Sequence, residues 1–170
     1  MSANGWAEQI AATLRARFGG PVEEPVWPAV LRELGVELEG AAAVDACGVA
    51  RRNNLSARMV ASLLLRAEER WGDSWLRLLP GPEERHSTLA GRFPGLEGRL
   101  RAKTGSLSRT RSLAGYIITG GEPEAIFAIL VNNSPVNPDE AINTFVGAMV
   151  RALDEYAGRQ GMTVAVQLSP

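Results

Sequence analysis

Seven consecutive residues, Ala125-Ile126-Phe127-Ala128-Ile129-Leu130-Val131, are apolar at every position, and this run constrains the fold more than any other stretch. A strand with one face in water alternates polar and apolar side chains, so an unbroken apolar strand is expected to be buried on both faces, with helices covering the sheet. Two more β-rich segments precede it, Leu100 to Gly105 and Leu113 to Thr119, with the turn chemistry of Gly120-Gly121-Glu122-Pro123 before the last strand. The expectation is an antiparallel three-stranded unit. Asn137-Pro138-Asp139-Glu140 then opens a helix as cap, N1 proline and two acids on the positive end of the dipole. Its stripe is Ile142, Phe145, Val146, Met149, Val150 and Leu153, and Gly158 closes it.

The first half of the chain reads as helices and loops. Residues 6 to 17 place Trp6, Ile10, Thr13, Leu14 and Arg17 at helical spacing, and Pro25 to Leu34 does the same with Trp27, Val30, Leu31 and Leu34, ending on Gly35 at C′. Ser56 is the expected N-cap of a helix over Ala57 to Trp71, and a short helical piece, Ser74 to Leu79, stops at Pro80-Gly81-Pro82. Ala41 to Val44 suits a short strand, while Asp45 to Asn54 and Glu83 to Gly98 suit loops. Met162 to Leu168 reads as a final strand or a tail. Helices first, then an antiparallel sheet with a covering helix, make an α+β architecture. A length of 170 residues, 45% of them hydrophobic, leaves room for one core, so residues 1–158 are expected as one domain and 159–170 as tail or final strand.

Charge and composition remove several function classes. Eighteen Lys plus Arg against nineteen Asp plus Glu give a net charge of −1, with no global pull toward nucleic acid or an anionic membrane. One Cys (Cys47) and one His (His86) exclude a disulfide framework and a Cys/His zinc cage. No apolar segment approaches the ~20 residues of a membrane helix, and nothing near Met1 reads as an export signal, so the chain as written is expected in the cytoplasm. The single lysine stands in Lys103-Thr104-Gly105-Ser106 at the end of an expected strand. A given Lys-Thr-Gly tripeptide arises by chance in a chain of this length only ~4% of the time. Alternation puts Arg99, Arg101 and Lys103 on one face, and Gly105 leaves the backbone open to close approach. Such an edge suits a peptide ending in a carboxylate, added as a further strand. The competing reading is a solvated basic strand end.

Lys103-Thr104-Gly105 resembles the third signature of the penicillin-recognising serine enzymes, and Ser2-Ala3-Asn4 resembles their second, Ser-x-Asn. Ser2 to Glu8 is similar to the Ser-x-Asn-x-x-Ala-Glu opening found in the D-alanyl-D-alanine carboxypeptidase/endopeptidases of peptidase family S13. Asp45 to Ser56 resembles that family's Asp-Gly-Ser-Gly-Leu-Ser-Arg-x-Asn-x-Leu-Ser loop, with Ala46 in place of a glycine and Cys47 in place of a serine. Leu79 to Leu89, Arg101 to Ser108, Ser112 to Ile117 and Ile129 to Asn133 follow in the family's order, so the resemblance spans residues 2 to about 155. It implies the carboxy-terminal portion of a β-lactamase/transpeptidase-like fold, with an antiparallel sheet covered by helices. It also implies serine-type cleavage of peptidoglycan stem peptides ending in D-Ala-D-Ala through an acyl-enzyme. β-Lactams would inhibit, no metal or cofactor would be needed, and the site of action would be periplasmic or extracellular.

The same resemblance implies roles for single residues. Ser2 would relay a proton to the leaving nitrogen, and Asn4 would hold the substrate's amide oxygen. Lys103 would bias that relay and, with Thr104 and the bare Gly105, receive the terminal carboxylate. The Ser106 N–H would be one oxyanion-hole donor, worth ~3 kcal/mol in this chemistry. The first family signature, Ser-x-x-Lys, carries the nucleophile, and it does not occur in these residues, because Leu100 stands three places before the one lysine. The expectation is a carboxy-terminal portion, inactive alone, whose uncovered sheet edges invite association.

Rival readings are a non-catalytic binder of peptidoglycan stems or of a protein partner, and a nucleic-acid module built on Arg99, Arg101, Lys103, Arg109 and Arg111. A Cys47/His86 dyad and a metal held by Glu83, Glu84 and His86 are weaker alternatives. Trp6, Trp27, Trp71 and Trp75 lie on helical faces and are expected in the core rather than as a stacking platform.

Overall fold

The hydrophobic pattern resolves into five helices and four strands in the computed structural model, which describes residues 4–18, 26–156 and 162–168, the last of these as backbone. In chain order they are α1 (Asn4–Phe18), α2 (Trp27–Glu33), α3 (Ala57–Trp71), α4 (Asp73–Leu76), β1 (Leu100–Leu107), β2 (Thr110–Thr119), β3 (Glu122–Val131), α5 (Asp139–Glu155) and β4 (Met162–Leu168). The sheet order is β1-β2-β3-β4. The first three strands form the expected antiparallel meander, and β4 adds a fourth, running parallel to β3 with Phe127 opposite Val164.

The apolar run is buried on both sides. Ala125, Phe127, Ile129 and Val131 join Leu100, Ala102, Leu113 and Ile117 beneath Ile142, Val146, Met149 and Leu153 of α5. Ile126 and Ala128 face the opposite way with Tyr116 and Ile118, packing on Ala57, Ala61 and Leu64 of α3 and on Leu76 and Leu79. Each large side chain so buried contributes roughly 1.5–3 kcal/mol relative to exposure. Tyr116 is fully buried and pays no orphan-hydroxyl penalty: its OH donates to Leu64 O at 2.6 Å and accepts Trp75 Nε1–H at 2.8 Å.

Local chemistry explains most boundaries. Ser56 Oγ accepts the Met59 N–H at 3.2 Å, as an N-cap does. Gly120 and Gly121, with φ of 63° and 94°, supply the tight turn between Thr119 and Glu122. Pro123 sits at a register shift opposite Ile117 and Ile118, where its missing N–H breaks no regular ladder, so β3 begins ahead of the proline. Asn137 and Pro138 fall one position earlier than expected: Pro138 occupies the cap position of α5, and the Asn137 side chain accepts the Asp139 N–H at 3.1 Å. Gly158 lies outside the described residues. Ala41 to Val44 makes one bridge, Ala42 to Asn54, rather than a strand.

Two expectations about side chains are corrected. Trp6 is 70% exposed and Trp71 46% exposed, so neither is core; Trp75 packs against the α3-side cluster and Trp27 is half-buried. Arg99 does not share the face of Arg101 and Lys103. It stands just ahead of β1 and turns to Thr119 and to Asp154 of α5, holding both carboxylate oxygens at 2.7 and 2.9 Å.

Candidate active site

The outer edge of β1 carries the candidate site. Arg99 O accepts the Ile118 N–H, so Arg99, Arg101, Lys103 and Gly105 turn their backbone groups toward β2, and Ala102, Thr104 and Ser106 turn theirs outward. Pro80 O takes the outward N–H of Ala102 at 3.0 Å. Beyond that point the edge offers the Thr104 N–H and the backbone groups of Ser106, the Thr104 carbonyl being taken by Lys103. The Thr104 hydroxyl lies 2.6 Å from that of Thr88. Lys103 lies on the α3 side of the sheet, and its ammonium donates to Thr104 O at 2.6 Å. Desolvation holds the Lys103 pKa below the ordinary lysine value. A cation, the hydroxyls of Thr88 and Thr104 and a partly open strand edge therefore lie side by side.

Gly105 has a structural reason in addition to the expected open approach. A Cβ there would overlap the hydroxyl of Ser112, its partner across the β1–β2 ladder. The segment Leu79 to Leu89 is held against the edge by Arg101, which binds Glu83 at 3.0 Å and Glu84 at 2.7 Å. Glu83 also accepts the Gly98 N–H, and Ser87 Oγ donates to Gly81 O.

The basic run expected from sequence is engaged with neighbours. Arg99 binds Asp154, Arg101 binds the two glutamates, Arg109 donates to Asn133 O, and Arg111 donates to Leu107 O and Thr110 O. The same contacts draw Glu83 and Glu84 away from a metal role with His86.

Asn4 opens α1 and is exposed, while Ser2 lies outside the described residues. One turn beyond Asn4, Glu8 Oε1 accepts the N–H groups of Ala46 and Cys47, both at 2.9 Å. Because positions i and i+4 share a helix face, this contact sets the rotation of α1 about its axis. Asp45 organises the loop it starts, accepting from Gly48, Val49 and Ala50 N–H and from Asn53 Nδ2. Desolvation is the largest single influence on Asp45 and pushes its carboxyl up, yet the bonds from Asn53, Ala50, Gly48 and Val49 together hold it below the ordinary value.

Glu8, Asp45 and Cys47 bring ligand atoms within 4.8 Å of one another, a grouping hidden by their sequence separation. Both carboxylates already accept backbone N–H groups. The Val49 N–H favours the Cys47 thiolate, but desolvation, a hydrogen bond with Glu8 and the charges of Asp45 and Glu8 outweigh it and push the thiol above its ordinary value. Cys47 thus faces carboxylates, the wrong surroundings for a nucleophile. The tie through Glu8 and the Thr88–Thr104 contact escaped sequence reasoning; the Ala-Glu after Ser-x-Asn and the family-like segment Leu79 to Leu89 are the hints the sequence holds.

The profile of the D-Ala-D-Ala carboxypeptidase 3 (S13) family matches residues 1–156. The chain is 34% identical to a D-alanyl-D-alanine carboxypeptidase of Actinomadura sp. (strain R39), over 94% of this chain and 31% of that protein. It spans about a third of that relative's length. Among solved structures it is similar to penicillin binding protein 4 of Haemophilus influenzae, determined with a bound β-lactam, with a TM-score of 0.62 and 19% identity over 89% of this chain and 39% of that one. It is also similar to a predatory endopeptidase of Bdellovibrio bacteriovorus, determined with its immunity protein, with a TM-score of 0.55 and 16% identity over 98% of this chain and 44% of that one.

Proposed function

Since the chain belongs to the D-Ala-D-Ala carboxypeptidase 3 (S13) family, we propose that it forms the carboxylate-receiving half of a serine-type D-Ala-D-Ala carboxypeptidase acting on peptidoglycan stem peptides outside the cytoplasmic membrane. The observation that carries this reading is the β1 edge. Its outward groups at Thr104 and Ser106 are placed for a short peptide strand, beside the Lys103 ammonium and the Thr88 and Thr104 hydroxyls. Thr104 would hold the terminal carboxylate and the Ser106 N–H would polarise the scissile carbonyl. Asn4, on a helix whose rotation Glu8 sets, would orient the substrate amide, and Ser2 would relay the proton to the leaving amine. The acylated serine would come from a Ser-x-x-Lys segment outside these 170 residues.

The decisive measurement is the intact mass after incubation with a penicillin, for native and for previously denatured protein. No adduct is expected. A native-only adduct would place a nucleophile within these residues and overturn the division of labour. In a polypeptide that joins this chain to a family Ser-x-x-Lys segment, acylation is expected, and Lys103→Ala should slow it on the order of 100-fold. Near-normal acylation of that variant would remove Lys103 from the mechanism. A non-catalytic binder of peptidoglycan stems is the second reading, because the open part of the β1 edge suits a peptide strand whether or not it is cleaved. Binding of a D-Ala-D-Ala peptide with no turnover in the joined polypeptide would select it.

A further inference from the structure

On the face of the sheet opposite Lys103, a groove of about 240 Å³ lies between the turn at Arg92 to Leu96 and the outer side of α5. Phe93 and Val150, both buried, line its base. Asn143, Gly147, Arg151 and Asp154 follow one another along α5 at helical spacing, and the missing side chain of Gly147 leaves the space. The polar side chains around it are donors with no acceptor to spare. Asp154, the one carboxylate among the lining residues, gives both oxygens to Arg99. Asn143 Oδ1 accepts from Arg92 at 2.8 Å, which leaves the two N–H groups of its amide. Arg92 Nε is buried without a partner among the described residues. Arg92 and Arg111 share Asp139, at 3.3 and 3.8 Å, whereas the Arg151 side chain has no hydrogen bond or ion pair with any described residue. Its guanidinium lies across Gly147, with Nη1 3.4 Å from where a Cβ would stand.

We propose that this groove binds the phosphate of a phosphate ester, with Arg151 as its counter-ion, Asn143 and Arg92 as donors from the other end, and the rest of the ligand outside. Four residues of helix, from Asn143 to Gly147, advance about 6 Å. That is roughly twice the length of a charge-assisted hydrogen bond, so one anion between the Asn143 amide and the Arg151 guanidinium can accept from both. A phosphate ester turns several oxygens in different directions, whereas a carboxylate has two in one plane and pairs best with a single fork. The groove belongs to the α5 side and Lys103 to the α3 side, so a phosphate here and a peptide at β1 do not compete. The proposal is independent of the D-Ala-D-Ala reading. A free phosphorylated compound and a phosphate carried within a chain present the same chemistry.

The test is a titration of the ¹⁵N-labelled chain, at constant ionic strength, with glycerol 3-phosphate, glycerophosphoglycerol, glycerol and acetate. At least one of the two esters is expected to shift the Gly147 and Arg151 amide resonances saturably and to bind on the order of tenfold more tightly than acetate, while glycerol leaves them unmoved. A tighter monoester would assign the site to a free phosphorylated compound, and a diester that binds as well or better would assign it to a phosphate within a chain; each supports the proposal. Arg151→Gln should weaken binding on the order of tenfold, and Arg151→Lys, which keeps the charge without the planar fork, should recover part of the loss. Gly147→Ala should weaken binding about threefold while raising the thermal midpoint, because alanine is the better helix former. That variant separates loss of the site from loss of the fold. An Arg151→Gln variant that binds like the parent, or acetate as tight as both esters, would overturn the proposal. So would attachment to phosphatidylglycerol vesicles with no response to either soluble ester, since a diffuse surface attraction would then account for it.

Discussion

At Gly105 a single missing methyl group decides two things at once. The position leaves the β1 backbone bare at the candidate site, and it gives the Ser112 hydroxyl its space across the ladder. Gly105→Ala is therefore expected to displace the Ser112 hydroxyl and to destabilise the chain by about 1 kcal/mol at most, because that hydroxyl rotates and both positions are half-exposed. In urea denaturation the midpoint should fall, and adding Ser112→Ala should recover most of the loss, because the two side chains compete for one volume. Additive losses in the double variant would show that the strain lies elsewhere. The tripeptide around Gly105 could be singled out from the sequence because it holds the one lysine. Its partners could not: Thr88 lies 16 residues from Thr104, and no spacing rule links a loop hydroxyl to a strand hydroxyl at that distance.

Among the elements, the loop from Asp45 to Asn54 depends most on charge. The carboxyls of Glu8 and Asp45 are both held below their ordinary values by the hydrogen bonds they accept. A group depressed in the folded state contributes stability above its unfolded pKa and loses it as pH falls through the folded pKa. Protection of the Gly48, Val49 and Ala50 amides against hydrogen exchange should accordingly be full above the ordinary carboxylate range of about 4 and decline below it. Glu8→Gln should lower protection at Ala46 and Cys47 where the parent carboxylate is ionised, with the difference vanishing at low pH, while sparing Gly48 to Ala50, which answer to Asp45. Protection that did not change with pH would remove these carboxylates as the loop's organisers. Sequence reading placed the loop correctly and recognised Ser56 as the cap that follows, since both are local. Trp6 and Trp71 are expected in the core because helical spacing identifies an apolar stripe without saying what lies against it; in α1, Ala11 is buried while Ile10 is 55% exposed.

On the scale of the whole molecule, the sheet ends at β1 on one side and at β4 on the other. β1 is partly closed by Pro80 and otherwise left for a ligand, whereas β3 is covered by β4, which pairs with it from Ala125 to Val131. A chain ending at Tyr156 would uncover seven paired positions of β3, and an unpaired strand edge templates association. Sedimentation velocity on that shortened chain should show concentration-dependent species heavier than those of the full chain. A monomer at all concentrations would mean that β4 is dispensable for guarding β3. The α+β order, the doubly buried β3, the helix that covers it and the family are legible along the chain, because apolar periodicity, caps and contiguous motifs are short-range and survive in one dimension. Which part of β1 stays open, that β4 runs parallel to β3, and that Glu8 reaches Ala46 and Thr88 reaches Thr104 follow from the folded arrangement alone. Those contacts join groups as many as 38 residues apart, and they form only when packing of the two sheet faces brings separate segments to the same place.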